Sequence, residues 1–362
     1  MGRGWRIGTI GGIEIRADPS VLFICVLIVS SRWVEFTSLP PRFRLSGPGA
    51  MTLAVLSALL FIGSLLLHEL GHAAVARARH IGVDGITLWM FGGATQTRSD
   101  AKGPLDEFLI SVVGPVTNLV LGGLFIGLAS RMPVGAWQVL VHETGYLNVL
   151  LGVFNVLPGF PLDGGRVLRS IVWAVSGSLS IGTLVAARVG QVFGIVLAGY
   201  GVVRATQFQD YGLLWMALIG VILFQGATAT VAEERRTRAL SRIKAADAMR
   251  PPPSSVAPEM PVGTVRDAVL AGREGAFPVM AGPNLLGFVS RTMLDGMSPE
   301  RPVGEAAAGR DAAAVVTATA PLSEVVPRMR SSSGGLALVV DGDRLVGVIG
   351  PEDVADALDR RR

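Results

Sequence analysis

The chain is poor in several things. Its 362 residues hold one cysteine, Cys25, inside an apolar run, so an intrachain disulfide and thiolate zinc ligation are both excluded. Charged residues make up only 17%, where an ordinary soluble domain carries roughly 25%, and this excludes a simple cytosolic enzyme. Aromatic residues are 6%, so the hydrophobic half of the sequence is mostly Leu, Val, Ile and Ala, interspersed with 46 glycines. That mixture is expected of helices packed through small residues in lipid, and the mean hydropathy of +0.51 agrees. The net charge of +4 reads as membrane topology, because basic residues collect on cytoplasmic loops. No nucleic-acid partner is expected.

Apolar runs at about 19–37, 51–76, 108–130, 137–158, 182–203 and 211–230 each approach the ~20 residues needed to cross a bilayer. The expected fold class is a polytopic α-helical membrane protein of about six transmembrane helices followed by a soluble α+β domain. Residues 1–18 do not read as a signal peptide; Ile7 to Arg16 alternate as a short β segment would. An even number of spans puts both ends of the 19–230 membrane body on one side. Arg3 and Arg6, with Arg235, Arg236, Arg238, Arg242 and Lys244 after the body, place that side in the cytoplasm. The expectation is a multi-pass protein of the cell membrane, embedded in the lipid bilayer, with a basic linker at 231–242 and with its N-terminus and C-terminal domain cytoplasmic.

From about residue 243 the long apolar runs stop and short strand-like and helix-like patterns alternate. Phe277-Pro278-Val279-Met280 with Leu285 to Val289 aligns without gaps on Ala337-Leu338-Val339-Val340 with Leu345 to Ile349, a repeat of about 60 residues. The stretch resembles a tandem CBS (Bateman) module, with repeats at about 243–300 and 301–359. In that family an Asp three residues after a Ser or Thr often holds a nucleotide ribose. Here Asp353 follows Gly350, and Ser290 precedes Met293, so each repeat keeps half of the pattern. Ser290 and Asp353 are the candidate residues for an adenine nucleotide; a structural module, making a homodimer, is the other reading.

The chemistry lies in Leu67-His68-Glu69-Leu70-Gly71-His72. Residues four apart share a helical face, so His68 and His72 can reach one metal ion. Glu69, roughly 100° round the helix from His68, can reach a water activated by that ion without ligating it. A catalytic zinc takes three protein ligands and keeps one open position. His80 and His142 lie beyond the apolar run or near a span end and read as solvated or interfacial. Asp163 is the better third candidate, because Pro158 and Pro161 interrupt a helix at membrane depth and Gly164-Gly165 follow. The same Asp could instead cap a helix over 165–175.

Together, His68 to His72, Gly114-Pro115-Val116-Thr117-Asn118, and Asn155 to Asp163 with Gly164-Gly165-Arg166 make residues 1–230 resemble the site-2 protease family of intramembrane metalloproteases. The resemblance implies that His68, His72 and Asp163 bind Zn2+, that Glu69 is the general base, and that Asn155 helps stabilise the oxyanion. It implies that Asn118 lines or supports the site. It also implies that the Gly-kinked stretch 88–96, with Phe91, Gly92 and Gly93, forms an edge strand on which extended substrate pairs. The substrate would be a membrane-embedded or membrane-anchored protein. Two other functions fit parts of the pattern. One is a CBS-gated cation or metal transporter, against which Glu69 argues as a non-ligand carboxylate. The other is a zinc-stabilised scaffold, which needs a fourth protein ligand, and none is obvious.

Overall fold

The computed structural model describes residues 4–90, 92–97, 101–251, 255–271, 276–282, 284–309, 314–332, 335–342 and 344–360. They fall into two compact units, Met1–Ala232 and Glu233–Arg362.

The first unit opens with a hairpin of β1 (Trp5–Ile10) and β2 (Ile13–Ala17), turning at Gly11 and Gly12 with φ of 54° and 77°. Only glycine takes two successive left-handed positions at little steric cost. Two helices follow, α1 (Val21–Thr37) and α2 (Gly47–Ala78), then β3 (Val83–Trp89) and β4 (Gly92–Thr97). The four strands form one sheet in the order β1-β2-β3-β4, with β2 parallel to β3 and the other pairs antiparallel. β4 is therefore an edge strand. Ile13, Ile15, Ile86 and Leu88 of the sheet share a core with Leu65, Ala73 and Ala76 of α2. That shared core fixes the sheet beside the helix carrying the two close-spaced histidines.

The remaining helices of this unit are α3 (Pro104–Ala129), α4 (Ala136–Val156), α5 (Asp163–Ser176), α6 (Leu179–Phe208) and α7 (Leu214–Ser241), the last running on into the second unit. Among the described residues five helical segments are long and apolar enough to cross a membrane: α2, α3, α4, α6 and Tyr211–Ser241. The expected first span is the exception. At 17 residues, α1 rises about 25 Å against a hydrocarbon core of about 30 Å. It also carries Arg32, whose Nη1 lies 2.5 Å from Glu35 and 3.3 Å from Glu143 of α4.

The helices pack through small residues, because lipid supplies no hydrophobic drive between them. A Cβ at Gly122 of α3 would lie 2.9 Å from the Gly145 carbonyl of α4, and one at Gly145 would lie 2.9 Å from the Ile126 amide.

In the second unit come α8 (Ala245–Ala248), α9 (Val262–Ala271), β5 (Ala276–Ala281), β6 (Asn284–Ser290), α10 (Arg291–Leu294), β7 (Ala308–Gly309), β8 (Ala314–Thr317), α11 (Leu322–Ser331), β9 (Ala337–Asp341), β10 (Arg344–Ile349) and α12 (Pro351–Asp359). Two three-stranded sheets, β5-β6-β7 and β10-β9-β8, each back a separate core. The repeat is visible in the register: Phe277 pairs with Val289 as Ala337 pairs with Ile349, and Val279 with Gly287 as Val339 with Gly347. The cores do not divide at residue 300. Ile243, Ala245 and Ala248 are buried with the second repeat, and Val303 with the first. The basic linker at 231–242 is helical for most of its length. It continues α7 to Ser241, since Ala, Glu, Arg and Leu are strong helix formers and Glu234 pairs with Arg238 one turn on at 3.2 Å.

The α3–α4 contact yields a stability prediction. Gly122→Leu should force the two helices apart at a cost of about 1–3 kcal/mol, read as a lower Tm in detergent. Gly123→Leu, where a Cβ meets nothing within 4 Å, should leave Tm unchanged.

Candidate metal centre

Helix α2 starts at Ser46, whose hydroxyl accepts from the Gly49 amide, and ends where His80 turns left-handed at φ 59°. His80 thus terminates the helix and is exposed. One turn apart in the interior, His68 and His72 meet edge to face with ring centroids 4.7 Å apart. The third group comes from the break after α4. The chain leaves the helix at Leu157, turns through Leu162 onto the Gly159 carbonyl, and re-enters helix at Asp163. A Cβ on Gly164 would overlap the Val156 and Leu157 carbonyls, and one on Gly165 would overlap Gly159 and Phe160. The two glycines therefore let the start of α5 press against the end of α4, which sets where Asp163 points.

Asp163 Oδ2 lies 3.1 Å from His68 Nε2 and 3.3 Å from His72 Nε2, and the two imidazole nitrogens are 3.1 Å apart. Among the described residues this is the one group of three that could hold a metal ion. The donor set fits zinc. Ligands about 2.0–2.1 Å from a tetrahedral ion are spaced about 3.3 Å apart. The Asp163 carboxylate between two imidazoles also supplies the negative charge that favours a cation there. The Nδ1 of His72 donates to the Ile110 carbonyl at 2.5 Å, leaving Nε2 free to face Asp163. On α3, Gly114 lies against both imidazoles, and a Cβ there would overlap them.

Glu69 is buried beside the group, and its Oε2 accepts from the Thr95 hydroxyl at 2.7 Å. Asn155 occupies the last turn of α4 and is half-buried. Asn118, one turn along α3 from Gly114, is fully buried, and neither its amide oxygen nor its nitrogen has a partner among the described residues. Gly92 opens β4 and Gly93 lies against Glu69, while Phe91 falls outside the described residues. His142 is half exposed with Glu143 at 3.5 Å, away from the trio. In the second unit Ser290 closes β6, and its side chain lies outside what is described. Asp353 is buried and both its oxygens are engaged, Oδ1 by Arg250 at 2.5 Å and Oδ2 by the Gly350 amide at 2.7 Å.

Sequence patterns miss an ionic cluster that anchors α5. Glu107 of α3, 1% exposed, pairs with Arg169 and lies 3.7 Å from Arg166, and the Arg169 guanidinium stacks 5.2 Å above the Phe160 ring. Beside it Arg79 meets Asp106 at 2.6 Å. The signal was present as acidic residues opening one helix and arginines following Asp163, but pairing between distant segments has no local pattern.

The model of peptidase family M50 matches residues 56–134 and 129–198, and the CBS domain model matches 245–294 and 309–360. The chain is 32% identical to the zinc metalloprotease named Rip3 of Mycobacterium tuberculosis, over 98% of this chain and 92% of that protein. It is 35% identical to a protein named as a zinc metalloprotease in Synechocystis sp., over 69% of this chain and 66% of that one. A solved site-2 protease from Methanocaldococcus jannaschii aligns with 63% of this chain and 94% of its own, at 23% identity and a TM-score of 0.47.

The chain belongs to peptidase family M50. It is a zinc metalloprotease of that family with tandem CBS domains in a membrane setting, which sets the transporter and scaffold readings aside. In this M50 peptidase the Glu107–Arg169 pair ties α5 to α3. Arg169→Met should therefore leave a buried carboxylate under-compensated and cost on the order of 3 kcal/mol. Thermal unfolding reads this as a clear drop in Tm, and an unchanged Tm would remove the pair from the supports of α5.

Proposed function

We propose that this M50 peptidase hydrolyses a membrane-embedded or membrane-anchored protein with zinc held by His68, His72 and Asp163 and with Glu69 as general base. The observation that carries the reading is the convergence of three donor atoms within 3.3 Å beside a buried carboxylate that is not one of them. When bound, zinc would supply Lewis-acid polarisation and lower the pKa of water toward neutrality. Glu69 takes the proton of the attacking water and returns it to the leaving amine. Asn155, at the helix end that leads into Asp163, donates its amide to the developing oxyanion. Asn118 offers a buried and unpartnered amide to the site. Substrate unwinds and adds to the free edge of β4 at Gly92 and Gly93, where backbone hydrogen bonds give affinity without demanding a sequence.

The apolar surface of α1, with Leu22, Phe23, Val26, Trp33 and Val34 exposed, supports α1 as a sixth, short span. An even count with the flanking arginines then puts the N-terminus and the CBS unit in the cytoplasm. The CBS unit serves regulation or homodimer formation. Its adenine-nucleotide site is weak, because a ribose at Asp353 has to displace Arg250.

Two predictions follow from these assignments. His68→Ala, His72→Ala and Asp163→Ala should each lower bound zinc from about one per chain, while Glu69→Gln keeps it and loses nearly all cleavage. Metal analysis alongside cleavage of a membrane-anchored reporter checks both halves, and full zinc in Asp163→Ala removes that ligand. For the CBS unit, ATP binding to the purified full chain should be undetectable at micromolar concentrations and strengthen about tenfold in Arg250→Ala, equivalent to about 1.4 kcal/mol. Calorimetric titration showing tight ATP binding that survives Asp353→Ala would place the site elsewhere.

A further inference from the structure

Thr95 lies in the stretch 88–96 but has no role of its own there, yet among the described residues its hydroxyl makes a close polar contact to the buried carboxylate. Its hydroxyl lies 2.7 Å from Glu69 Oε2 and 3.4 Å from the Glu69 carbonyl. A hydroxyl has one proton to give, and the carboxylate is the nearer and stronger acceptor. Residues two apart on a strand share a face, and the residue two before Thr95 is Gly93. A Cβ there would overlap the Glu69 side chain and stand 2.6 Å from Oε1. β4 thus meets both sides of one carboxyl group, with a donor on Oε2 and bare backbone against Oε1. The strand is itself held in register by β3, where Ile86 pairs with Thr95 and Leu88 with Gly93.

We propose that Thr95 is a positioning residue for proteolysis, fixing from β4 the rotamer in which the Glu69 carboxylate faces the reaction centre. The proposal rests on the reading of Glu69 as general base. A glutamate side chain has three rotatable bonds, and a base must sit within hydrogen-bond reach of the proton it takes. Helix α2 fixes the backbone of Glu69 but not the carboxyl group at its end. The hydroxyl of Thr95 removes the last rotation, and the missing side chain of Gly93 leaves room for the held position.

Threonine to valine is the informative change. It keeps the β-branch, the volume and the strand preference, and deletes only the donor. The assay uses the full chain in detergent with a fluorogenic single-span peptide that the unmodified enzyme cleaves. Thr95→Val should lower kcat about tenfold or more with KM within about twofold, and with bound zinc and Tm unchanged. Thr95→Ser should recover the rate to within about threefold, because the hydroxyl returns. In a Glu69→Gln background, Thr95→Val should cost nothing further from the residual rate, since the group it orients is gone. Cleavage at the original rate by Thr95→Val overturns the proposal while an inactive Glu69→Gln leaves the base assignment standing. A loss that appears in KM, zinc content or Tm, or that serine does not repair, gives Thr95 a structural role and also overturns it. Retained turnover in Glu69→Gln defeats the base assignment and the proposal together.

Discussion

Two imidazole nitrogens and one carboxylate oxygen meet within 3.3 Å inside a body whose outer face is apolar, and most of the first unit can be derived from that meeting. Such a group holds together only with a cation or a proton among its donor atoms, and its histidines are buried away from bulk solvent. Its geometry must therefore be imposed by backbone. Helix α2 imposes the spacing of the histidines through its own period. The carboxylate has to come from elsewhere, and a continuous helix at the end of α4 would carry it past the site. Pro158 and Pro161 stop that helix, and Gly164 and Gly165 allow the new one to start against the old. The break is tolerated because part of its backbone is satisfied inside protein, the Phe160 amide donating to the Ala186 carbonyl of α6 and Leu162 to Gly159.

One face of α3 then serves the rest. Glu107, Ile110, Gly114 and Asn118 recur at the helical spacing of three or four. They provide in turn the counter-charge for Arg169, the carbonyl that orients His72, the gap into which both imidazoles fit, and a buried amide. The four contribute by different physical means: charge from Glu107, a backbone carbonyl from Ile110, space at Gly114 and a polar group from Asn118. That concentration explains why a helix with no charged residue beyond its first turn still carries four polar or special positions on one side.

What the sequence makes legible is whatever repeats or recurs locally. The apolar runs, the His68–His72 spacing and the offset between Val279 and Val339 all have a period, and each stands in the structure as a helix, a ring pair or an equivalent register. Boundaries are less legible. Residues 231–242 look like a linker by charge, yet their side chains favour the helix already running into them. α1 looks like a full span by hydropathy but ends after 17 residues, its last turns carrying the Arg32 and Glu35 pair. Contacts between distant segments have no local pattern at all. Thr95 on Glu69 and Arg169 on Glu107 arise only when β4 is laid beside α2 and α5 beside α3.

The CBS unit shows the same limit in its sharpest form. Local reading weighs Asp353 against its neighbour Gly350, and finds half of a nucleotide motif. In the folded unit the leading segment of the first repeat pairs with the second, Arg250 bonding through its backbone to Val348 and through its side chain to Asp353. The group that decides whether Asp353 can accept a ribose therefore lies in the other copy of the repeat, far upstream in the chain. Exchange of these leading segments places Ile243 and Ala248 in the second core and Val303 in the first. It makes each half depend on the other for closure, so a motif complete in one repeat would still be open or blocked according to residues its own repeat does not contain.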